Sequence, residues 1–349
     1  MSMKIKILGA GSIGNHLAQA SRRMGWGVVV VDNDPKALER MKNEIYPKRY
    51  GAWDETIQLF VSDQEPKGGF DIIMIGTPPD THLKLALAAI DEEPKLLHIE
   101  KPLCAPDLAG VGEFIKAMEK HPRVMVTVGY DHVVSEAIEA VTDLVKRGLF
   151  GDILTIDVEF REHWRGFFAA HSWLSGPQDS YLGFWKRGGG AGGEHSHALH
   201  LWQYFANVLD WGPIVRAEAM FDMRNEKGAL HDQLAIFNLE TKKRKIGRVV
   251  QDVITYPVRK WARLQGERGF IEWHYNGVPE GDLIRYQTKE ETPVEKIFPK
   301  KRPDDFYREV LHYDKLLSGE IPHENSPLSF ERGVEIMKIL NKAYFQNSI

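Results

Sequence analysis

The sequence predicts an α/β fold: an N-terminal doubly wound parallel sheet, followed by an α+β domain with a large, open, mostly antiparallel sheet. The first part of this prediction comes from short apolar runs that alternate with helix-like segments up to about residue 130. Such alternation is typical of a parallel sheet with both faces covered. The second part comes from later candidate strands that follow one another without helices between them. We therefore expect one domain over residues 1–129 and another over residues 130–349, whose last helix can pack back on the first.

Five candidate strands set the order of the first domain. The segments between them have helical spacing, with Ile13, Leu17 and Met24 on one face as an example. Asp34 followed by Pro35 predicts a helix start, because Asp is a favoured N-cap and Pro is favoured at the first helical position. The strands are expected at Lys4–Leu8, Gly27–Val31, Asp71–Ile75, Leu96–Ile99 and Val124–Val128.

The second domain is expected to begin with a helix over about residues 135–147 and a strand over Ile153–Glu162. An aromatic, glycine-rich stretch comes next. Two helices with apolar stripes, Phe306 to Leu317 and Val334 to Leu340, close the chain. Further strands are expected at Ile214–Met223, Gln233–Glu240, Gly247–Thr255, Lys260–Gln265, Phe270–Tyr275 and Leu283–Gln287.

Composition limits the class of protein. The chain has 349 residues, of which 43% are hydrophobic and 27% are charged, as in globular proteins of two ordinary domains. Its net charge of -4 gives no electrostatic case for binding nucleic acid or an anionic membrane. No apolar run reaches the ~18 residues of a membrane span. The single cysteine, Cys104, excludes an internal disulfide, and no signal peptide is recognisable, so we expect a cytoplasmic protein.

A glycine-rich turn joins the first strand to the first helix. It runs from Gly9 to Gly14 with the pattern G-x-G-x-x-G, between an apolar strand and an amphipathic helix. Gly9 permits a tight turn, Gly11 lets the backbone approach a pyrophosphate, and Gly14 lets helix and strand pack closely. The helix N-terminus adds unpaired N–H groups and a partial positive charge. These features predict a Rossmann domain that binds a nicotinamide dinucleotide.

An acidic residue at the end of the second strand indicates which dinucleotide is preferred. Asp32 stands near the ~20-residue offset expected of the acid that binds the adenosine ribose. Its carboxylate would accept from the ribose hydroxyls and repel a 2′-phosphate, so NAD is expected rather than NADP. Asp34 competes for this role but is better explained as a helix cap. Lys36 and Arg40 are close enough to keep NADP possible.

Five further segments carry a family resemblance. They are Gly76–His82 (GTPPDTH), His98–Leu103 (HIEKPL), Val128–His132 (VGYDH), Gly188–Gly190 and Gln265–Gly269. With the glycine turn, they resemble the Gfo/Idh/MocA family of dinucleotide-dependent oxidoreductases over nearly the whole chain. In that family the first two segments line the nicotinamide half of the site. The cofactor-binding residues expected from the turn and the resemblance are Gly9, Gly11, Ser12, Ile13, Gly14, Asp32, Asn33, Thr77, Pro78, His82, Glu100 and Lys101.

The family's catalytic lysine corresponds to Lys101. A lysine at the carboxyl end of a parallel strand faces the crevice where ligands bind, and it can stabilise a developing alkoxide. Glu100 is expected to hold the ribose or orient the loop. In the family the bond between Lys101 and Pro102 is often cis.

A cluster of histidines follows the glycine triplet. The segment Glu194–His200 (EHSHALH) departs from the family's commonest spacing of Asp and His, and it fits a minority variant. On one helix, Glu194, His197 and His200 would share a face. His197 is then the candidate general acid/base, and Glu194 would orient it or raise its pKa. His200 either replaces the missing carboxylate or packs in the core.

The same three side chains also suggest two other interpretations. Zinc could be held at this i, i+3, i+6 spacing, or the cluster could be purely structural. We expect no metal, because hydride transfer to NAD already has a proton acceptor in His197.

An aromatic and cationic stretch lies between Glu162 and Arg187. It can contact a sugar-like ring, cover the open sheet or form a subunit contact. Val133 stands where relatives often carry Arg, so no particular sugar is carried over from the family. The expected substrate contacts are Tyr130, His132, Trp164, Arg165 and His200.

The resemblance implies an NAD-dependent oxidoreductase that transfers hydride between the nicotinamide and a secondary alcohol or ketone of a sugar, cyclitol or related polyol. One alternative is NADPH-dependent reduction of a keto-sugar or imine-type substrate. Another is a dinucleotide-sensing regulator without catalysis, which the altered histidine spacing keeps open. The open sheet and the family indicate a homodimer or homotetramer formed through the second domain, with no nucleic-acid or membrane partner.

Overall fold

The computed structural model describes residues 2–171, 173–289 and 291–346. The chain forms two compact units. The first comprises the described residues of Met1–Cys104, Leu108–Asp131 and Arg302–Val334. The second comprises those of Ala105–Asp107, His132–Lys301 and Glu335–Ile349. The expected continuous stretch 130–349 is therefore interrupted, because residues 302–334 belong to the first unit.

Strands and helices are numbered in chain order. The strands are β1 Lys4–Leu8, β2 Gly27–Asp32, β3 Gln58–Val61, β4 Ile72–Ile75, β5 Leu96–Ile99, β6 Met125–Val128, β7 Ile153–Arg161, β8 Ile214–Glu226, β9 Ala229–Thr241, β10 Ile246–Asp252, β11 Arg259–Gly266, β12 Gly269–Val278, β13 Gly281–Thr288 and β14 Val294–Pro299. The α-helices are α1 Ser12–Arg23, α2 Pro35–Arg40, α3 Tyr46–Tyr50, α4 Pro79–Ile90, α5 Val111–Lys120, α6 Glu136–Lys146, α7 Trp164–Ala170, α8 Gly190–Glu194, α9 His197–Val208, α10 Pro303–Leu317 and α11 Phe330–Gln346.

The first unit contains a parallel sheet of six strands in the order β3-β2-β1-β4-β5-β6. In this doubly wound order, β2 and β3 lie on one side of β1, and β4, β5 and β6 lie on the other. The five expected strands are confirmed, and their buried side chains are mostly apolar, with exceptions that include Lys6 and His98. Asp34 caps α2 as expected, since its side chain accepts from the Lys36 N–H at 2.9 Å. The carboxyl ends of β1, β4 and β5 thus carry the glycine turn and the two next motifs.

The second unit contains a sheet of eight strands in the order β14-β13-β12-β11-β7-β10-β9-β8. Every neighbouring pair is antiparallel except β7 and β10, so the expected mostly antiparallel sheet is confirmed. The helices α6 and α9 pack on one face of this sheet. Ser135 starts α6 by accepting from the Ile138 N–H at 3.3 Å. Within the described residues, no helix has the length and apolar character needed to cross a membrane.

Candidate active site

The glycine turn has the geometry of a phosphate cradle. Gly9 has φ +108°, and a Cβ there would lie 2.8 Å from the carbonyl oxygen of Gly76. A Cβ on Gly14 would lie 1.9 Å from the carbonyl oxygen of Gly9, so neither position accepts a side chain. Gly11 differs, because a Cβ there would meet no atom within 4 Å. The space in front of Gly11 and the N-terminus of α1 is therefore open, which fits a dinucleotide pyrophosphate.

Asp32 is fixed beside this turn. One carboxylate oxygen accepts from the Ala10 N–H at 2.7 Å, and the other accepts from the Asp34 N–H at 2.9 Å. A carboxylate has about four acceptor positions, so lone pairs remain for ribose hydroxyls. Asn33, which follows, is exposed. The geometry separates the two acids as expected, with Asp32 at the cradle and Asp34 at the helix cap.

A guanidinium lies at the same turn. Arg49, at the end of α3, donates to the Ser12 hydroxyl at 2.9 Å and to the Ser12 carbonyl at 3.1 Å. Burial lowers the pKa of Arg49, but an arginine at neutral pH stays protonated. Tyr50 is hydrogen-bonded to His16 of α1. Arg49 was not among the residues expected from the sequence, because Arg49 lies far along the chain from the glycine motif and belongs to no motif of its own.

The segment after β4 is held by a buried histidine. The His82 ring is fully buried, with Nε2 at 2.7 Å from the Thr77 carbonyl oxygen and Nδ1 at 3.1 Å from that of Pro102. Burial lowers the pKa of His82. This imidazole joins the loops after β4 and β5. Because His82 is buried, it is better suited to positioning Thr77 and Pro102 than to the direct cofactor contact that we expected. Pro78, in contrast, is exposed.

Lys101 follows the carboxyl end of β5 and is half-buried. Its backbone N–H donates to a Glu100 carboxylate oxygen at 3.1 Å, and its bond to Pro102 is cis. Glu100 is only 4% exposed. A Cβ on Gly129 would lie 2.8 Å from a Glu100 oxygen, so this carboxylate lies beneath Gly129. That placement favours orientation of the loop over ribose binding, the two roles left open for Glu100.

The prediction that the histidine cluster lies on a single helix is wrong. Glu194 is the last residue of α8, and His197 is the first of α9, with His195 and Ser196 between the two helices. Glu194 and His197 therefore do not share a helix face. His200 lies on α9 with His197 but is 1% exposed, which favours packing. His197 is half-buried at the helix start.

Aromatic rings surround His197 within the second unit. The His132 ring lies 4.6 Å from the His197 ring, centroid to centroid, and 5.1 Å from the Tyr275 ring. The Phe160 ring stacks on His197 at 6.2 Å. The Lys260 ammonium lies 5.1 Å from the Tyr275 centroid, and β7–β11 pairing places Phe160 opposite Lys260. The site therefore offers ring nitrogens and aromatic faces, with an ammonium group beside them.

Several members of this group were missed from the sequence. The Lys300 ammonium lies 3.8 Å from the Tyr275 centroid and 3.0 Å from Asp282, and the Lys260 ammonium lies 2.8 Å from Glu162. Alternation along the strands could have shown that these residues share a sheet face. It could not have shown that this face also carries His132 and His197.

Three expected substrate contacts have other surroundings. Trp164 is 9% exposed and packs against Leu182, Ala191 and Val253, so its ring belongs to a local core. Arg165 is exposed, and its backbone N–H donates to the His163 ring at 3.0 Å, which caps α7. Tyr130 is 1% exposed. Burial of Trp164 and Tyr130 argues against direct stacking on a substrate.

The last glycine of the triplet packs against a buried carboxylate. A Cβ on Gly190 would lie 1.9 Å from an Asp232 oxygen. Asp232 accepts from the Gly192 N–H and from the Tyr344 hydroxyl, both at 2.7 Å. Burial raises the pKa of Asp232 to about 7. Gly190 and Gly192 thus let the backbone close around Asp232, which is a structural role.

Comparisons with known proteins found a matching family model and similar folds. Residues 3–130 match the model of an oxidoreductase family described by its NAD-binding Rossmann fold. The uncharacterized oxidoreductase YfiI of Bacillus subtilis is 24% identical over 102 residues, which cover 29% of this chain and 25% of YfiI. The match thus spans about a quarter of that relative's length. NAD, the cofactor expected from the glycine turn, is confirmed at the level of the family.

Solved structures resemble the whole chain in fold. Levoglucosan dehydrogenase in complex with NADH and levoglucosan has a TM-score of 0.77 at 16% identity, covering 99% of this chain and 96% of that one. The scyllo-inositol dehydrogenase of Lactobacillus casei, with bound NAD(H) and scyllo-inositol, has a TM-score of 0.72 at 15% identity, covering 99% and 98%. At these identities the likeness concerns the fold.

Proposed function

Because residues 3–130 of this chain match the model of the Gfo/Idh/MocA family of NAD-binding oxidoreductases, we propose that it transfers hydride between NAD and a secondary alcohol or ketone of a sugar, cyclitol or related polyol. The observation that carries the proposal is the placement of Lys101. Lys101 follows β5, the strand that pairs with β4 in the first unit. The same unit contains the glycine turn with its open space at Gly11. Neighbours of the same fold bind levoglucosan and scyllo-inositol, which supports this substrate class.

Four residues of the chain have separate tasks in the proposed reaction. Gly11 and the N-terminus of α1 bind the pyrophosphate, and Asp32 accepts from the ribose hydroxyls. The bound NAD supplies the hydride acceptor. Lys101 donates a hydrogen bond to the substrate oxygen and stabilises its negative charge as the C–H bond breaks. A ring nitrogen of His197 takes the hydroxyl proton, and the pKa range of imidazole suits this exchange near neutral pH.

The aromatic and basic side chains near His197 suggest how the substrate is held. Phe160 and Tyr275 present aromatic faces near His197, and the ammonium groups of Lys260 and Lys300 lie beside Tyr275. Aromatic faces pack against the C–H groups of a sugar-like ring, while hydroxyls find donors and acceptors at the edge. This arrangement fits a polar ring better than a flexible apolar chain.

Replacing Lys101 by Met tests the proposal. A screen of sugars and polyols with NAD identifies a substrate, and turnover and NAD affinity are then measured for Lys101→Met. Loss of one stabilising donor is expected to lower kcat by about 100- to 1,000-fold, with NAD affinity kept within about twofold. Lys84→Met, on the exposed side of α4, is the matched control and is expected to match the unchanged protein. Unchanged turnover in Lys101→Met would refute the catalytic assignment.

A further inference from the structure

Three side chains capable of binding a metal meet inside the first unit. His98 lies on β5, Glu100 follows that strand, and Glu309 lies on α10. The nearest ligand atoms of the three all lie within 4.8 Å of one another. His98 and Glu309 are fully buried, and Glu100 is 4% exposed. The group is therefore enclosed, unlike the acidic clusters that water commonly covers at protein surfaces.

Polar atoms of this group lack hydrogen bonds of ordinary geometry. Among the described residues, none gives such a bond to His98 Nε2 or Glu100 Oε1. The Glu309 carboxylate has the Tyr313 hydroxyl of its own helix beside it. Buried polar atoms normally have a partner. The orphaned nitrogen and oxygen therefore point to an occupant that satisfies both of them together.

The charge of the group indicates what that occupant carries. Two carboxylates share an interior with low dielectric. Such a pair is stable only with added positive charge, from a proton or from a cation. A single shared proton would neutralise one of the two carboxylates, whereas a divalent cation would neutralise both.

The donor atoms and their spacing favour a metal ion. One imidazole nitrogen and two carboxylates form a ligand set that zinc uses in proteins. His98 Nε2 lies 3.5 Å from Glu100 Oε1. Two ligands of a tetrahedral ion with bonds of about 2.0–2.2 Å are separated by roughly 3.3–3.6 Å. This pair therefore already has the separation that coordination requires, and an oxygen of Glu309 lies within 4.8 Å of both atoms.

A second contact orients the imidazole. His98 Nδ1 lies 2.7 Å from the Tyr313 hydroxyl. Tyr313 stands four residues after Glu309 on α10, so both side chains extend from one helix face. With the proton on Nδ1 donated to Tyr313, the lone pair of Nε2 is directed at the carboxylates. Metal-binding histidines commonly have such a partner on the other ring nitrogen.

We propose that His98, Glu100 and Glu309 form a buried binding site for one divalent transition-metal ion of the zinc type. The ion links β5 to α10. Because Glu100 also accepts from the Lys101 backbone N–H, the ion fixes the loop that carries Lys101. No sequence pattern predicts this site, because Glu309 is remote in sequence from the other two ligands. The proposal stands independently of the reaction, because its test measures the ion itself.

The test uses the full chain. Protein stripped with a chelator is incubated with Zn²⁺ alone, dialysed against metal-free buffer, and analysed for metal content and melting temperature. We expect about one zinc per chain and a melting temperature several degrees higher than that of the stripped protein. Co²⁺ alone is expected to give the visible absorption of a tetrahedral site. Wild-type protein that retains less than about a tenth of an ion per chain would overturn the proposal.

Variants distinguish the metal from a shared proton. Glu309→Gln and His98→Gln keep the side-chain size and are each expected to lose the bound ion. His312→Gln is the matched control, since His312 is a buried histidine on the same helix whose Nε2 instead contacts the Ser326 hydroxyl at 2.9 Å. It is expected to retain the ion. Equal zinc content in Glu309→Gln and the control would refute the site. A zinc-free wild type that Glu309→Gln stabilises would show that the carboxylates share a proton.

Discussion

At the scale of single residues, the glycine turn contains two glycines with opposite constraints. Gly14 touches backbone, because a Cβ would lie 1.9 Å from the carbonyl oxygen of Gly9. A Cβ on Gly11 would meet no atom within 4 Å. The pattern G-x-G-x-x-G does not reveal this difference. Gly14 serves packing, whereas Gly11 leaves room for a ligand.

Alanine at each position separates these two effects. Gly14→Ala is expected to lower the free energy of unfolding by about 1–3 kcal/mol, since the backbone must move to admit a methyl group. Gly11→Ala is expected to keep the unfolding free energy within about 0.5 kcal/mol and to weaken NAD binding, because its methyl group enters the ligand's space. Urea denaturation and NAD titration measure the two quantities. A Gly11→Ala protein with unchanged NAD affinity would place the pyrophosphate elsewhere.

We expect Asp32 to determine the choice between NAD and NADP. Its carboxylate is fixed by the N–H groups of Ala10 and Asp34, so it cannot turn away from a 2′-phosphate. Asp32→Ser is expected to raise the ratio of NADP to NAD affinity by about tenfold or more, which corresponds to about 1.4 kcal/mol. Isothermal titration with both cofactors measures the ratio.

Asp34→Ser is the matched control for that substitution. Serine is also a good N-cap, so α2 and the cofactor preference are both expected to remain. If Asp34→Ser changes the preference and Asp32→Ser does not, the two acids have been assigned in reverse.

At the scale of elements, local patterns predicted the interior strands of the two described sheets and the edge strands β6 and β8, but not the edge strands β3 and β14. β3 and β14 were missed, and both lie at sheet edges, where half-exposed residues weaken the apolar signal. The break between α8 and α9 was missed for another reason. The Gly192 N–H bonds Asp232, which lies 40 residues away, and no local pattern contains that contact. Lys260 and Tyr275 escaped notice likewise, because the sheet register alone brings them near His132.

Asp232 gives this glycine segment a pH dependence. Its pKa is about 7 in the folded chain, against an ordinary value of 3.8. Between these values the folded state holds a proton that the unfolded state has lost, so the free energy of unfolding falls as pH rises. The slope is at most about 1.4 kcal/mol per pH unit, and it ends above pH 7, where both states are ionised. Stability is therefore expected to decline from about pH 4 to pH 7 through this residue.

Replacing Asp232 by Asn removes the titrating group. Denaturation at pH 5, 6 and 7 is expected to show a smaller loss of stability with pH in Asp232→Asn than in the wild type. Asp210→Asn is the control, because that side chain is 91% exposed and pairs with Lys243 at the surface. A wild type and Asp232→Asn with parallel pH profiles would mean that Asp232 ionises normally in the folded chain.

At the scale of the whole molecule, the first unit is completed by residues distant in sequence. The Phe306 ring stacks on His16 at 4.4 Å, and Asp304 pairs with Arg23 at 2.8 Å. α10 thus covers the helix that begins at the cofactor turn. Chain order alone predicted a domain that ended at residue 129, because nothing in the sequence between 302 and 334 identifies the unit to which it packs.

The outer face of the eight-stranded sheet, opposite α6 and α9, combines buried charge with exposed apolar side chains. Glu159 is 9% exposed and pairs with Arg259 at 3.2 Å and Arg248 at 3.7 Å. Strand register places Met220, which is 75% exposed, and Ile297, which is 51% exposed, in the same row of this face. Balanced ion pairs between apolar side chains are typical of a surface that a second copy covers.

We therefore expect the chain to self-associate through this face, and Met220→Asp to weaken the association. A carboxylate without a partner in a buried interface costs several kcal/mol, which is enough to shift the dissociation constant by about 100-fold or more. Sedimentation velocity over a range of protein concentrations measures this shift. Ile115→Asp is the control, since Ile115 is a 40% exposed apolar residue on α5 of the other unit. A wild type that sediments as a monomer at every concentration would contradict the expectation. Equal weakening in both variants would place the interface away from this sheet face.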